Sequence, residues 1–298
     1  MQAGSGGSSV KESAATDGAR ITVLLPVKQY HPSYLQESVA SIFGQSCRDW
    51  RLLVIAEPED CGHFASLLRG ALADPRTRLI ANTGRKLAGA INTGMRDAGT
   101  PFVALLLADD LWARDAVRVL NAYIDGHPEV DFFHTSRRII DEHGNPISSI
   151  HYSRPSFTLE DFKTASPVKH LLCWRRSKAL LVGGLDESLN SVGPDDYDFP
   201  WTMAENGARF KAVSECLYYY RDHRGCYRLT THLPLSVHKR ECRRIFKKHG
   251  VGWRERRRYI ARAQRSFLRQ CLYRNSIDKW IKERLAYDAR RGWRDSYR

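Results

Sequence analysis

The stretch FVALLLADDLW, residues Phe102 to Trp112, decides how the rest of the chain is read. Seven apolar residues without alternation, Phe102 to Ala108, suit a strand buried on both faces, as in a sheet covered by helices. The run ends in two adjacent carboxylates, Asp109 and Asp110, at the strand's C-terminal end. In open α/β sheets that edge is where ligands bind, and an acidic pair there can hold a divalent cation against a phosphorylated substrate. The pair reads equally well as the cap of the next helix, so this stretch alone leaves its role open.

The segments upstream repeat the strand-then-helix pattern. Ile21 to Val27 is a β-rich run, and Ser33 with Gln36 forms a capping-box start to a helix whose Leu35, Val39, Ile42 and Phe43 share one face. Strands are expected at Trp50 to Ala56 and Thr77 to Ala81, and helices over Phe64 to Leu72 and Leu87 to Asp97. After the central stretch come a helix from Arg114 to Asp125, a strand from Val130 to Ser136 and a hairpin at His143, Gly144 and Asn145. This alternation is that of a parallel α/β sheet. Further on, the spacing predicts helices over Ser177 to Val182 and Asp195 to Asn206, the second weakened by Pro200, and an aromatic strand from Phe210 to Tyr220.

Composition bounds the rest. Residues 1–20 read as a disordered leader, rich in Gly and Ser. No apolar run approaches the roughly 20 residues needed to cross a bilayer, and a cytoplasmic protein is expected. Seven scattered cysteines without a CxxC pair argue against a disulfide framework or zinc knuckle. From Lys239 to Arg298 there are 21 Lys and Arg against 6 Asp and Glu, a net of +15, whereas the preceding residues carry 26 against 27. The body is neutral and the tail basic.

Five ordered stretches then resemble the inverting glycosyltransferases of family 2, which have the GT-A fold, a nucleotide-diphospho-sugar transferase fold with a Rossmann-like mixed sheet. ITVLLPVKQYHPSYLQESVASIFGQS is similar to that family's first strand and helix, and NTGRKLAGAINTG to its asparagine- and glycine-rich segment. LLADDLW resembles its DxD-type motif, VGGLDESLNSVGPDDYDFPWTMAENG its acceptor-side and base segment, and YYYRDHRGCYRLT its closing Tyr-Arg-x-His segment. The resemblance implies a catalytic domain over residues 21–232 and a basic helical extension over 233–298. It implies a nucleobase pocket lined by Pro26, Val27 and Glu57, with Arg85 a further candidate. Asp109 is expected on the donor ribose, Asp110 on a divalent cation (Mn2+ or Mg2+), and His223 as a further metal ligand. Asp196 is the expected general base, with Asp195 where the family usually has Glu. The family also often has Asp-Asp-Gly where this chain has Ala56, Glu57 and Pro58, and an aspartate where Leu107 stands.

The implied reaction moves a sugar from a nucleotide donor, a UDP-sugar, to a hydroxyl of a glycan or lipid-linked acceptor in surface polysaccharide synthesis. A single displacement needs one base, no enzyme nucleophile, and inverts the anomeric centre. A helix N-terminus would keep Asp196 ionised, and the same position also reads as an N-cap. The tail, with the apolar stripe Ile260, Ala263, Phe267, Leu268 and Cys271 and the anchors Trp253, Tyr259, Trp280 and Trp293, reads either as packed on the domain or as a peripheral contact with an anionic membrane. Two other classes remain: a nucleic-acid-binding protein using the basic tail, for which no nucleic-acid motif is present, and a GT-A protein that binds a nucleotide sugar without transferring it.

Overall fold

The computed structural model describes residues 18–189, 193–222 and 234–276. Among them, eight strands form one sheet: β1 (Ile21–Val27), β2 (Trp50–Ala56), β3 (Thr77–Ala81), β4 (Phe102–Leu105), β5 (Leu111–Trp112), β6 (Phe132–Ile140), β7 (Leu172–Arg175) and β8 (Phe210–Arg221). Their order across the sheet is β3-β2-β1-β4-β7-β6-β8-β5. The first four are mutually parallel, β7 runs antiparallel to β4 and β6, and β8 runs parallel to β6 with bulges near Ser136. The helices are α1 (Pro32–Phe43), α2 (Cys61–Leu67), α3 (Arg69–Leu72), α4 (Lys86–Asp97), α5 (Ala116–Gly126), α6 (Leu159–Phe162), α7 (Arg176–Leu181), α8 (Phe199–Glu205), α9 (Leu235–Lys248) and α10 (Trp253–Ser276).

The unbroken apolar strands feed two cores, one on each face of the sheet. Val23, Leu25, Val54 and Ala104 pack with Leu35, Ile42 and Leu120 from α1 and α5; Leu24, Ile55, Val103 and Leu105 pack with Ile91 and Met95 from α4. Successive strand residues point to opposite faces, so a strand covered on both sides must be apolar throughout. Each such side chain contributes about 1.5–3 kcal/mol by leaving water. On the α4 face the helix lies close, since a Cβ at Gly94 would sit 2.8 Å from Leu24 Cδ2.

The structure departs from the expected elements in four places that matter for the site. First, α1 begins at Pro32 with His31 as its cap residue; the Ser33 hydroxyl bonds the His31 ring at 2.8 Å, so the expected capping box does not form. Proline starts the helix because the first helical N–H has no partner to lose. Second, β4 ends at Leu105 and residues 107–110 form a turn leading into β5, while α5 is entered through Asp115. Asp109 and Asp110 therefore do not cap a helix.

Third, the expected helix from Asp195 is a π-helical turn, Pro194–Asp198, followed by α8. Pro200 lacks the N–H that would bond the carbonyl four residues back, and the Ser166 hydroxyl takes that carbonyl, Asp196 O, at 2.5 Å. Fourth, the C-terminal helices are built into the body. Cys242, Ile245 and Phe246 of α9 and Ile260 of α10 share a core with Phe162 and Trp201, and Phe267 is also buried. Most of the described apolar stripe of α10 is thereby used in packing; Leu268 is exposed, and the side chains from position 269 onward, Cys271 with them, lie outside the description. Trp280 and Trp293 lie outside the described residues.

Ala19 is buried, and the Arg20 carbonyl accepts the Phe102 N–H at 3.1 Å. The last residues of the leader are thus part of the fold; those before Gly18 lie outside the described residues.

Candidate active site

Parallel register brings the expected donor-side residues to one edge. Val27 pairs with Ala56 and Ala56 with Ala81, so β1, β2 and β3 end in line, and Leu106 N–H bonds Leu24 O at 3.0 Å as the chain leaves β4 toward the aspartates. Pro26 is half-buried there. The Val27 side chain belongs to the α1 core, so any ligand meets its backbone. Glu57, one residue past β2, accepts the Asn82 amide at 3.2 Å and has Lys28 Nζ at 3.6 Å.

Asn82 shapes the next loop, its side-chain oxygen accepting Gly84 N–H at 2.9 Å and the Thr93 hydroxyl at 3.2 Å. Gly84 lies against Gly89, where a Cβ would come 2.6 Å from the Gly89 Cα, which explains two of the glycines in NTGRKLAGAINTG. Arg85 is exposed; its backbone N–H donates to Glu187 at 2.8 Å, and Asn92 holds the same carboxylate at 3.0 Å.

The two aspartates after β4 have different environments. Asp110 is fully buried: one carboxylate oxygen accepts the Arg221 backbone N–H at 2.7 Å and the other meets the Tyr218 hydroxyl at 2.6 Å. The Ser38 hydroxyl of α1 bonds the Asp110 carbonyl at 2.5 Å. Burial, then the charge of Asp109, pushes the Asp110 carboxyl up to about 8 against the pull of those hydrogen bonds. Asp110, the expected cation ligand, is thus enclosed by the fold, with one protein donor on each of its carboxylate oxygens. Asp109 is half-buried in the same turn.

Arg221, at the end of β8, locks this turn. It is fully buried, with Nε on Asp109 O at 2.9 Å, Nη1 on Asp141 O and Glu142 O at 3.3 and 3.1 Å, Nη2 on the Glu37 carboxylate, and its guanidinium 4.4 Å from the Tyr34 ring centroid. His223, the other expected metal ligand, lies outside the described residues.

The second carboxylate pair lies in the π turn. Asp195 is buried and bonds His170 Nε2 at 3.1 Å. Burial works against a charge on His170, but the hydrogen bond and charge of Asp195, with Asp196 behind, outweigh it and raise its pKa. Asp196 has its carboxyl pKa raised, by burial first and then by Asp195, with His170 and Arg137 pulling the other way. The expected net depression by a helix dipole is thus reversed, because the carboxylate stands beside another in a confined place.

The two pairs are physically joined: Tyr218, whose hydroxyl holds Asp110, stacks on His170 with ring centroids 5.3 Å apart, and His170 holds Asp195. Sequence reasoning missed Tyr218, His170, Arg221 and Glu37. A buried Arg in an aromatic strand was a usable signal for Arg221; nothing local marked His170.

Next to this chain of contacts, His134 on β6 is almost fully enclosed, and burial, followed by the charge of Lys169, pushes its pKa down to about 4. A histidine whose folded pKa lies below its unfolded value of about 6.5 contributes stability fully present above that value and lost as pH falls toward about 4. At about pH 5.5 this amounts to about 1 kcal/mol. Urea unfolding of wild type and His134→Phe, a ring that keeps the packing on Phe157, should show the variant losing about 1 kcal/mol less between about pH 7.5 and about pH 5.5. Equal losses would mean that His134 is charged in the fold.

No group of three or more His, Cys, Asp or Glu side chains placed to hold a metal ion occurs among the described residues. A cation bound chiefly by a diphosphate needs only one or two protein carboxylates, and the half-buried Asp109 at the sheet edge supplies one. The described residues fit a cation whose coordination the substrate would complete.

A model of the family described as Glycosyl transferase family 2 matches residues 22–176. The chain is 26% identical over 204 residues to the O-antigen biosynthesis protein RfbC of Myxococcus xanthus, covering 68% of this chain and 16% of that protein. It is 37% identical over 109 residues to the succinoglycan biosynthesis protein ExoW of Rhizobium meliloti (strain 1021), covering 35% of this chain and 33% of that protein. The chain thus spans a third or less of the length of these two relatives. The crystal structure of S. aureus TarS 1-349 in complex with UDP-GlcNAc superposes with a TM-score of 0.60 at 17% identity, covering 91% of this chain and 79% of that one. That likeness concerns the fold, which is of the GT-A type with a helical C-terminal region.

Proposed function

Since the chain belongs to glycosyl transferase family 2, we propose that it transfers a sugar from a nucleoside-diphosphate donor, a UDP-sugar, to an acceptor hydroxyl with inversion, in the synthesis of a surface polysaccharide or a lipid-linked glycan. One observation carries the reading: of the two carboxylates in the π turn, Asp195 is committed to His170, while Asp196 has a raised proton affinity and no hydrogen bond from another side chain among the described residues. A base must be held in place yet able to accept a proton, and this division of labour supplies both. The donor assignment is supported by the fold shared with TarS, solved with UDP-GlcNAc, and the pathway by the O-antigen and succinoglycan relatives.

The residues then act as follows. The nucleobase lies against Pro26, the Val27 backbone and Glu57, with Arg85 at the loop that closes over it. Asp109 holds the diphosphate side of the donor together with a divalent cation, Mn2+ or Mg2+, and His223 is a further candidate ligand. When bound, the cation neutralises charge on the departing diphosphate. Asp110 is a framework residue through Tyr218 and Arg221. Asp196 takes the proton of the acceptor hydroxyl as that oxygen attacks the anomeric carbon from the face opposite the leaving group.

Calorimetric titration of UDP with Mn2+ or with a chelator tests the donor half. Asp109→Asn should cut Mn2+-dependent UDP affinity at least about tenfold. Asp110→Asn should cost less, since the amide still accepts the Arg221 N–H and can donate to the Tyr218 oxygen. Equal UDP binding by wild type and Asp109→Asn, with or without metal, would remove the cation from the reading. We infer a peripheral anionic-membrane contact from the exposed Arg254, Arg258, Arg262 and Arg265 on α10, beside a Trp253 that is 61% exposed. Flotation on neutral against anionic vesicles tests it, and equal association with both would exclude it.

A further inference from the structure

Near Asp196 lies a set of basic side chains, two of them cations, that the transfer step does not use. Arg137 on β6 and His151 form an antiparallel bridge, exchanging backbone hydrogen bonds at 3.1 and 2.8 Å. Residues paired in this way project their side chains to the same side, about 5.5 Å apart at Cα. Lys169 Nζ reaches the carbonyl of Tyr152, the neighbour of His151, at 3.5 Å. The next residue after Lys169 is His170, held by Asp195.

Three observations set this group apart from an ordinary basic surface. Arg137 Nε, His151 Nε2 and the second ring nitrogen of the buried His170 are shielded from solvent and have no hydrogen-bond partner among the described residues. Buried polar atoms are nearly always paired, because an orphan loses its hydration without recompense. None of Arg137, His151 and Lys169 has a carboxylate at ion-pair distance among the described residues, whereas neighbouring Arg154 is neutralised by Asp161 at 3.0 Å. Burial first, and then repulsion from Arg137 and other cations, lowers the pKa of both His151 and Lys169. Two cations, Arg137 and Lys169, are thus held near each other with the Arg137 Nε–H unsatisfied and a His151 ring beside them, and an oxyanion would serve as the missing partner. The link to Asp196 is through the chain: Lys169 directly precedes His170, whose Nε2 bonds Asp195, the neighbour of Asp196, at 3.1 Å, and the Arg137 charge lowers the Asp196 pKa.

We propose that Arg137, His151 and Lys169 form a subsite for an oxyanion, a phosphate or carboxylate, carried by the acceptor next to its attacking hydroxyl. The inference rests on the transfer reading above and specifies the acceptor class for the same site. A guanidinium and an ammonium supply donors and charge to an oxyanion, which accepts without donating. Arg137 is steadied for this by the Tyr220 ring, 5.2 Å from its guanidinium carbon.

The test uses the full chain saturated with UDP and Mn2+, so that the donor diphosphate position is filled, titrated with glucose 1-phosphate, glucuronate or methyl glucoside. One or both anionic sugars should bind saturably and at least about tenfold more tightly than methyl glucoside, and Arg137→Gln should remove at least about tenfold of that affinity. The phosphate and carboxylate arms identify the anion. Lys169→Gln provides a second variant that leaves the Arg137 guanidinium packed on Tyr220, and circular dichroism reports folding. Equal binding of neutral and anionic sugars, or undiminished anion binding in both variants, overturns the subsite. Failure of UDP to bind in a separate titration would instead overturn the transfer reading, and so the two outcomes are distinguishable.

Discussion

Asp196→Asn is expected to lower the transfer rate by about 10² to 10⁴ while leaving UDP affinity within about twofold of wild type, measured as UDP release and as calorimetric binding. The amide has the shape of the acid and can accept a hydrogen bond from the acceptor hydroxyl, but it cannot take the proton. The loss corresponds to about 2.7 to 5.4 kcal/mol of barrier, the range a positioned base supplies. The backbone around it should survive, because the Asp196 carbonyl stays with Ser166 and Tyr197 N–H with Gly193. Asp195→Asn is the control. Its carboxylate holds His170, so it should lower stability as well as rate. Transfer by Asp196→Asn within about threefold of wild type, about 0.65 kcal/mol, is too little for a base and would sink the assignment.

Arg221→Met should destabilise the fold by about 3–5 kcal/mol in urea unfolding. Methionine keeps an apolar stem of similar length against Tyr34, so the loss isolates the guanidinium. Without it the carbonyls of Asp109, Asp141 and Glu142 and the Glu37 carboxylate lose their shared donor. The buried Asp110 keeps the backbone N–H of residue 221 only if β8 stays in place. UDP affinity should fall with stability, since the same guanidinium fixes the turn that carries Asp109. A change below about 1 kcal/mol would show that water replaces the guanidinium at little cost.

The parallel half of the sheet was legible in the sequence because a strand covered on both faces admits only apolar residues, and Ile21 to Val27, Trp50 to Ala56 and Phe102 to Leu105 obey that rule without exception but for Thr22, Pro26 and Arg51. The two acidic pairs were legible as well, since carboxylates next to each other at strand and helix ends need a reason. Which member of each pair does what was not. Asp110 is enclosed by Tyr218 and Arg221, more than a hundred residues further along, and Asp195 is engaged by His170 from a different segment. The π turn escaped because it depends on Ser166 taking the carbonyl that Pro200 cannot serve. Cross-chain partners of this kind leave no periodicity behind.

Residues 234–276 were set apart in the sequence by charge, yet α9 ends in a latch. Lys248 Nζ and His249 Nε2 bond the fully buried Asp198 at 2.6 and 3.0 Å, and the His249 ring stacks on Trp201 with centroids 4.1 Å apart. Asp198 is two residues from Asp196 in the same turn. A truncation at residue 232 would leave a buried carboxylate without Lys248 and the His249 ring, at a cost on the order of 3–5 kcal/mol, and would open the core around Trp201. Local unfolding is expected to be shared, so that fraying of α9 loosens the turn bearing Asp196. The break in charge near residue 232 is not a break in packing, because α9 shares a core with Trp201 and an ion contact with Asp198.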